Sequence, residues 1–469
     1  MIELDSVLQR HPNTPARATP AGYVAMFARD PRVVKLNRIG AFILECARQP
    51  LSAREMAMRL CREYSVDFDT AFRDLREYAE RLTALHLLLP PAAGAAAGVS
   101  TDVETPRPRG QQMEDSEVYL KAMTAQVLSG RPWAATFELT HLCPLKCRYC
   151  YLDKPLAATR RADEMRTEEW VRVLGELEAE GAFLLTLTGG EPLVYPGLPE
   201  ILAEATRRDF AVRVFTSLAC GKPQDLLDFA RHNVIQVETS VHGSDAATHD
   251  AFTGVPGSFD RMLAAVRLLR GAGIPVVMKT CWTRHNRTQY AQVLDLVTGL
   301  GAVFRGTCFV TAASDGTTAN TDARMSDAEL HAFMLDAFRY GQTVGTGCGE
   351  GAGSELPGPE KGICGAGRVG FRVDPWGDVF PCVEWQLKVG NVRQAPVRGI
   401  WTTSPDLVRI REYRYRDLDL DDVTPYDRSW GGCSVCPGAN LKEKGNCLKV
   451  SEEGKRLTRV MHQARKGEK

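Results

Sequence analysis

The sequence predicts an α/β protein whose centre is a partial (β/α)6 barrel, preceded by a winged-helix-like domain and followed by a small domain organised by metal ligands. Three observations predict this arrangement. Short apolar runs alternate with helical patterns in the middle of the chain, two strand candidates and three helices fill its first part, and cysteines gather in its last part. A chain of 469 residues has room for about three domains. We place them at 1–89, 132–340 and 341–469, with a linker at 90–131.

Six strand candidates define the central domain. They lie at 135–139, 183–187, 211–215, 234–241, 276–279 and 303–309. Amphipathic helical patterns run between them, such as the apolar spacing from Trp170 to Leu177. Strands that alternate with helices form a parallel sheet with the helices outside, and a sheet that curls gives a partial barrel. Such folds carry their functional residues at the C-terminal ends of the strands.

The N-terminal domain is predicted from strands at 22–27 and 33–36 and from the helices that follow. Ser52 and Glu55 form a capping-box pattern at the start of one helix. The next helix has an apolar face made of Phe72, Leu75, Ala79 and Leu82. The stretch 90–131 begins with Pro, Ala and Gly and shows no periodicity, which is typical of a linker.

Charge and hydropathy narrow the functional classes. Lys+Arg 58 balances Asp+Glu 58, whereas partners such as nucleic acid or an anionic membrane usually require a basic excess. No apolar run of about 18 residues occurs, and residues 1–17 lack the apolar segment of a signal peptide. The sequence therefore predicts a cytoplasmic protein with no nucleic acid and no membrane among its partners.

The 14 cysteines are unevenly spread. In a reducing compartment, clustered cysteines indicate metal ligands or catalytic thiols rather than disulfides. Five isolated cysteines in mostly apolar settings are expected to be core residues, namely Cys46, Cys61, Cys220, Cys281 and Cys308.

Cys143, Cys147 and Cys150 lie on one short loop directly after the first barrel strand. Three thiolates can hold three irons of a [4Fe–4S] cube and leave the fourth iron open. Zinc is the alternative, but a structural zinc site takes four ligands, and no further cysteine follows until Cys220. The pattern therefore favours an iron–sulfur cluster.

This loop resembles the Cys-x3-Cys-x-aromatic-Cys signature of the radical S-adenosylmethionine (SAM) superfamily, with Tyr149 at the aromatic position. Gly189, Gly190 and Glu191 resemble the superfamily's GGEP motif, which cradles the methionine amino group. A glycine pair lets backbone approach a ligand closely, and a carboxylate suits an ammonium. The resemblance implies that a reduced cluster passes one electron to bound SAM and that the resulting 5′-deoxyadenosyl radical abstracts a substrate hydrogen.

Three more residues are candidate SAM contacts. Thr216 ends the third strand, and Ser240 lies in a segment that resembles the superfamily's ribose- and carboxylate-binding region. Many members have Arg where this chain has Thr253, so Lys279 is the candidate that supplies the positive charge. A plain strand cap is the alternative for Thr216, and a strand-end lysine facing solvent is the alternative for Lys279.

The C-terminal cysteines resemble the auxiliary-cluster domains called SPASM and twitch. Four of them suffice for one closed [4Fe–4S] cluster, namely Cys364, Cys382, Cys433 and Cys436. Cys348 and Cys447 are further candidate ligands, but six thiolates cannot close two cubes. The resemblance implies one auxiliary cluster, with a second, open one as the alternative.

The N-terminal domain resembles the peptide-binding chaperone of pyrroloquinoline quinone biosynthesis, over roughly residues 15–88. Such recognition elements, found in pathways to ribosomally made, modified peptides (RiPPs), bind the leader of a precursor peptide as an added strand. A DNA-binding winged helix is the rival interpretation. Against it, Arg54, Arg59 and Arg62 are offset by acidic neighbours, so no basic face stands out.

Two functional classes follow from these resemblances. The first is a radical SAM maturase that modifies a precursor peptide, for example by a crosslink, with an electron donor such as flavodoxin or ferredoxin. The second is a maturase of a protein substrate, such as the sulfatase-activating type. A non-enzymatic electron-transfer protein would leave Gly189, Gly190 and Glu191 without a purpose. The bond that is made stays open; Cys308 is a candidate hydrogen donor, with a buried core thiol as the alternative.

Overall fold

The computed structural model describes residues 2–30, 32–90, 113, 116–148, 150–152, 163–340, 360–419 and 435–467. The strands are β1 (Val7–Leu8), β2 (Ala16–Thr19), β3 (Gly22–Ala25), β4 (Val34–Leu36), β5 (Leu51–Ser52), β6 (Ala134–Glu138), β7 (Leu184–Thr188), β8 (Ala211–Phe215), β9 (Val234–Ser240), β10 (Val276–Cys281), β11 (Val303–Thr307), β12 (Gly370–Val373), β13 (Asp378–Phe380) and β14 (Gly390–Asn391). The α-helices are α1 (Arg38–Cys46), α2 (Ala53–Tyr64), α3 (Phe68–Ala84), α4 (Glu117–Leu128), α5 (Thr167–Ala179), α6 (Leu198–Arg207), α7 (Pro223–Asp228), α8 (Ala246–Thr253), α9 (Ser258–Gly271), α10 (Tyr290–Gly299), α11 (Asp327–Arg339), α12 (Val397–Thr403), α13 (Pro405–Glu412), α14 (Pro437–Lys444) and α15 (Glu452–Lys466).

A nine-stranded sheet forms the centre of the molecule, in the order β11-β10-β9-β8-β7-β6-β12-β13-β14. Strands β6 to β11 are parallel and follow one another in chain order, so the six predicted barrel strands are confirmed. Their outer side chains pack against the helices, as Phe137 does against Trp170 at 4.7 Å between ring centroids. Since side chains alternate along a strand, Thr186, Arg213 and Gln236 occupy the inner face.

The C-terminal region continues this sheet. Strand β12 pairs in parallel with β6, and β13 and β14 add to it in antiparallel fashion. Gly370 permits the approach, because a Cβ atom there would lie 2.2 Å from the carbonyl oxygen of Ala134. Barrel residues and C-terminal residues such as Val373 and Trp401 also share one hydrophobic core. The predicted small C-terminal domain is thus built onto the barrel wall.

The N-terminal domain has its own core, formed by α1, α2, α3 and the short strands. The predicted strand pair is confirmed as β3 and β4, to which β2 adds a third strand. The predicted capping box is also present, since the Ser52 side chain accepts from the amide of Glu55 and the Glu55 carboxylate accepts from the amide of Ser52. Such a cap contributes about 1 kcal/mol.

This domain closes the N-terminal end of the barrel, which we call the floor. Val24 and Met26 pack with Trp133, Phe183 and other residues at the beginnings of the barrel strands in a separate hydrophobic cluster. Around this cluster Arg10 pairs with Asp209 at 2.6 Å, and Arg48 pairs with the same carboxylate. Arg29 donates to the carbonyl oxygen of Val234 at 2.6 Å.

Helix α4 lies inside the stretch that was predicted to be a linker, and its Tyr119 packs edge-on against Trp133 at 5.5 Å. At least Glu117–Leu128 is therefore an ordered part of the floor rather than a connection. Among the described residues no helix is both long and apolar enough to cross a membrane.

Candidate active site

The cysteine loop (residues 139–152) leaves the C-terminal end of β6 and packs against the glycine pair after β7. The amide of Gly190 donates to the carbonyl oxygen of Thr140 at 2.7 Å, and the amide of Glu191 donates to that of Leu142 at 2.9 Å. A Cβ atom on Gly190 would lie 2.4 Å from the Leu142 oxygen, and Gly189 has a φ of 130°. The glycines are therefore required by the contact between the two loops. Their approach to SAM stays a prediction.

The other side of the cysteine loop rests on the end of α8. The amides of Lys146 and Arg148 donate to the carbonyl oxygens of Thr253 and Phe252, at 2.7 and 3.1 Å. Thr253 is 1% exposed, and its hydroxyl is hydrogen-bonded to Ser258 at 2.6 Å. The residue that replaces an arginine of many superfamily members thus supports the loop through its main chain and offers no charge.

The thiols of this loop suit an iron–sulfur cluster. The pKa of Cys143 is raised to about 11, mainly by burial and also by the neighbouring Glu191 carboxylate and Cys150 thiolate. Cys147 and Cys150 are partly exposed. A donor set of neighbouring thiols is what iron–sulfur clusters require, so these residues fit the predicted cofactor. Tyr149 lies outside the described residues.

Cys220 is not a core residue, which corrects the expectation from sequence. The residue is exposed, although its thiol is partly buried, and this burial together with the charges of Glu191 and Cys143 raises the pKa of Cys220 to about 12. Cys46, Cys61 and Cys281 are only partly buried, whereas Cys308 is 4% exposed. An isolated cysteine among apolar residues in the sequence is therefore not always buried in the fold.

Glu191 and Thr216 are brought together, as expected of residues that follow neighbouring parallel strands. The Glu191 carboxylate is fully buried and accepts from the hydroxyl of Thr216 at 2.6 Å, the amide of Ser217 at 2.8 Å and the amide of Leu193 at 3.1 Å. Burial raises the pKa of Glu191 although these hydrogen bonds oppose the shift. Its contact with a ligand ammonium stays a prediction, and so does that of Thr216.

Lys279 lies on the inner face of the barrel wall, in register with Ser240 on β9 and with Arg305 on β11. Its ammonium forms an ion pair with Glu238 and lies 4.2 Å from the centroid of the Phe215 ring. The side chain is 40% exposed and that of Glu238 is 2% exposed. The positive charge is therefore near the C-terminal end of the barrel, which we call the mouth. It already has a carboxylate partner. The SAM contacts of Lys279 and Ser240 stay predictions.

Glu138 is a site residue that sequence reasoning missed. It ends β6 with no exposed surface and accepts from the hydroxyl of Tyr151 at 2.7 Å and from Arg372 at 2.7 Å. Its second oxygen lies 3.2 Å from Nε2 of His141. The only signal in the sequence is an acidic residue at the end of an otherwise apolar strand.

Three of the predicted auxiliary ligands are brought together, namely Cys364, Cys382 and Cys436. The pKa of Cys382 is raised to about 12, mainly by burial and also by the thiolates of Cys436 and Cys364. Cys447 instead contacts the Tyr413 hydroxyl. Cys348 and Cys433 lie outside the described residues. Within the part of the chain that is described, no three His, Cys, Asp or Glu side chains are close enough to hold a single metal ion.

Three protein families match different parts of the chain. Residues 137–296 match the radical SAM superfamily, residues 22–88 match coenzyme PQQ synthesis protein D (PqqD), and residues 364–437 match the iron–sulfur cluster-binding domain SPASM. A PqqA peptide cyclase of Streptomyces rochei is 31% identical over 59% of this chain and 77% of its own length. The chain belongs to the radical SAM superfamily. The three families follow the three structural regions, and the enzyme accordingly uses SAM and iron–sulfur clusters.

Other relatives of the enzyme have different names. A PqqA peptide cyclase of Granulibacter bethesdensis is 26% identical over 64% of this chain and 82% of the relative. An AdoMet-dependent heme synthase of Methanosarcina barkeri is 28% identical over 68% of this chain and 97% of the relative.

The solved structure of Streptococcus suis SuiB bound to precursor peptide SuiA shares the fold of the enzyme. It superposes with a TM-score of 0.57 over 95% of this chain and 99% of SuiB, at 15% identity. A structure of anSMEcpe with bound AdoMet and a peptide superposes with a TM-score of 0.54 over 71% of this chain and 99% of that one, at 13% identity. The likeness to SuiB includes the N-terminal domain.

Proposed function

We propose that this radical SAM enzyme installs a modification, such as a crosslink, in a ribosomally made precursor peptide whose leader binds its N-terminal domain. The observation that carries the proposal is a PqqD domain fixed to the barrel of a radical SAM enzyme. Two relatives bear the name PqqA peptide cyclase, and SuiB has been solved with its precursor peptide, which supports a substrate of this class.

The leader has a strand edge to bind. In the sheet β2-β3-β4 the strand β4 is at the edge, and no other described strand pairs with its outer side. The residue Lys35 in its middle is exposed. An edge of this kind offers main-chain donors and acceptors to an extended peptide, which adds as a further strand.

The residues at the barrel mouth and in the SPASM domain have different roles in this proposal. Cys143, Cys147 and Cys150 would hold the cluster that binds SAM, and that cluster would supply the one-electron chemistry needed for hydrogen abstraction. Glu191, Thr216, Ser240 and Lys279 orient SAM. The cysteines of the SPASM domain, Cys364, Cys382, Cys433 and Cys436, hold an auxiliary cluster. Cys348 and Cys447 are the candidate ligands of a second one.

The remaining partners follow from this chemistry. A single-electron donor of the flavodoxin or ferredoxin class reduces the cluster, and a reducing compartment such as the cytoplasm keeps the cysteines available as ligands.

Proline substitutions at Val34 and Lys35 test the leader site. Successive residues of a strand point their N–H groups to opposite sides, so only one of the two positions tolerates proline without breaking the pairing with β3. The tolerated variant, identified by an unchanged thermal melt, is expected to bind the leader of its precursor peptide about 10-fold more weakly, because one main-chain donor is lost. The other variant, which loses a hydrogen bond between β4 and β3, is the control that shows how the melt changes when the sheet of the domain itself is damaged.

SAM cleavage without peptide serves as the second readout and is expected to be unchanged in the tolerated variant. Unaltered peptide affinity in that variant contradicts leader binding at β4. Modification of a folded protein such as a sulfatase-type enzyme, with no dependence on a leader, would instead favour the maturase of protein substrates.

A further inference from the structure

One buried carboxylate holds both ends of the cysteine loop. Glu138 accepts from Tyr151, the residue directly after Cys150, and it contacts His141, two residues before Cys143. The loop that carries the three cluster ligands therefore begins and ends on the same side chain. Anything that moves Glu138 shifts both ends together.

The orientation of Glu138 is set by Arg372 of the SPASM domain. Nη1 of Arg372 donates to Glu138 Oε2 at 2.7 Å, and the two side chains are 3% and 0% exposed. Arg372 lies on β12, in register with Thr136 on β6. Its guanidinium is 4.0 Å from the centroid of the Phe380 ring, so its position is fixed by packing as well as by hydrogen bonds.

The contact chain continues to an auxiliary cluster ligand. Nη2 of Arg372 donates to Oε1 of Gln386 at 3.0 Å, and Nε2 of Gln386 donates to the carbonyl oxygen of Val383 at 2.6 Å. Val383 follows Cys382 in the chain. The loops of the two clusters are thus joined by a run of four side chains, namely Gln386, Arg372, Glu138 and Tyr151.

The turn between β12 and β13 touches the same region. The amide of Met165 donates to the carbonyl oxygen of Pro375 at 2.6 Å, and the ring of Trp376 meets His141 edge-on at 4.8 Å between centroids. One of these contacts is with His141 at the beginning of the cysteine loop, and the other is with the segment just before α5. The beginning of the loop therefore lies between the barrel and the SPASM domain.

Stability alone does not account for this ion pair. Burial of a guanidinium and a carboxylate costs several kcal/mol of hydration, and well-packed apolar side chains of similar volume are often at least as stable. A buried pair does fix relative orientation, because both charges lose their hydrogen bonds when either one moves.

We propose that Arg372 is a positioning residue that acts through Glu138 to hold the cysteine loop in the geometry that binds SAM. The SPASM domain is then part of the SAM site as well as the carrier of an auxiliary cluster. This role does not depend on the peptide substrate, so it can be tested without one.

The test compares Arg372→Met with Arg372→Lys and with Arg411→Met. Arg411 is the matched control, because it is a partly buried arginine of the same domain that lies over Trp401 and donates to the carbonyl oxygen of Gly367. Each full-length enzyme, with its clusters in place, is analysed for iron per chain, for the electron paramagnetic resonance spectrum of the reduced form with and without SAM, and for KM and kcat of SAM cleavage.

Arg372→Met is expected to keep its iron, to lose the spectral change that SAM causes, and to raise the KM for SAM about 10-fold or more, as small misplacements of a site do. Arg372→Lys keeps the charge and is expected to restore part of the change. Arg411→Met is expected to match the wild type in spectrum and KM. A wild-type response to SAM in Arg372→Met overturns the proposal.

Arg372→Met also leaves a buried carboxylate without its cation, which can prevent folding. The double variant Glu138→Gln with Arg372→Met removes both charges and keeps an acceptor for Tyr151. A folded double variant with an altered response to SAM supports positioning. A folded double variant with the wild-type spectrum and KM shows that the pair serves folding only, and it overturns the proposal.

Discussion

The two ends of the barrel differ in the kinds of side chain that form them. At the floor, Trp133, Phe183 and their neighbours form a closed apolar cluster, and the arginines around it are paired with Asp209 or with carbonyl groups. At the mouth, Glu138 is paired with Arg372 and Glu238 with Lys279. The floor thus joins two domains through an apolar cluster bordered by ion pairs, whereas the mouth has ion pairs on the barrel strands themselves, next to the predicted SAM site. Substitutions at the floor are therefore expected to lower stability, and substitutions at the mouth are expected to lower activity.

The largest expected effect is at the mouth. Cys147→Ala removes one of the three predicted ligands of the SAM cluster and is expected to abolish 5′-deoxyadenosine formation. Chromatography of the reduced enzyme after incubation with SAM measures the product.

Cys220→Ala is the matched control, since Cys220 lies near Cys143 but is exposed and is not a predicted ligand. It is expected to keep its activity. Product at the wild-type level in Cys147→Ala would remove the basis for the cluster assignment.

The next largest effect is at the floor. Trp133 is fully buried, so Trp133→Ala is expected to lower the free energy of unfolding by about 3–5 kcal/mol through a cavity between the two domains. KM for SAM in the folded fraction is expected to be unchanged.

Thermal or denaturant unfolding measures this loss, and Leu128→Ala on the exposed side of α4 is its control, because Leu128 is 81% exposed. A wild-type melting temperature for Trp133→Ala, or a large change in KM, would break the division between the two ends.

A smaller effect is expected from pH at the hairpin that covers the cysteine loop. Burial raises the pKa of Asp374 to about 6, although the amides of Trp376 and Asp378 donate to it. Because the folded pKa lies above the unfolded value, the folded state is favoured when Asp374 is protonated, and this contribution is lost as the pH rises. The stability of the wild type relative to Asp374→Asn is expected to fall by about 1 kcal/mol between pH 5 and pH 6 and to level off above about pH 7.

Melting both proteins at each pH gives the difference in their stability directly. Effects of pH on the clusters cancel because they are common to both proteins. A difference that stays constant, or rises with pH, would place the carboxylate in a better hydrated setting than the structure has.

An effect of similar size is expected away from the interface between the domains, at the capping box of α2. Ser52→Ala removes a side-chain acceptor and is expected to cost about 1 kcal/mol of stability. Arg54→Ala, at an exposed position of the same helix, is the control. If the recognition domain unfolds together with the barrel, the loss appears in a single transition; a separate low-temperature transition would show that the floor joins the domains less tightly than the contacts indicate.

The barrel was predictable because each of its strands and helices has a recognisable pattern within a short stretch of sequence. Each predicted barrel strand lies within two residues of its observed bounds, since apolar outer side chains alternate with inner ones over a short range. Helix α4 was missed because apolar residues cover it on all sides, with Tyr119 facing the floor and Leu128 facing solvent, and because Pro, Ala and Gly dominate the stretch before it.

The site was predictable only where its residues are neighbours in sequence. The cysteine loop and the glycine motif are continuous segments, and the structure brings them into contact. Glu138 and Arg372 are 234 residues apart, and nothing near either residue indicates the other. The pairing of β12 with β6 is equally non-local, so the sequence predicted a separate C-terminal domain where the structure has a continued sheet.

The pairing of β12 with β6 also decides how such enzymes can be recombined. A chimera that exchanges about the last fifth of the chain at the β12–β13 turn would keep β12 but separate it from the turn that contacts His141. A crossover before residue 360 transfers the strand, the turn and the described auxiliary ligands together. The recipient must then offer a main-chain edge at residue 134 that accepts Gly370, a carboxylate at position 138 for Arg372, and a core that matches the transferred apolar side chains.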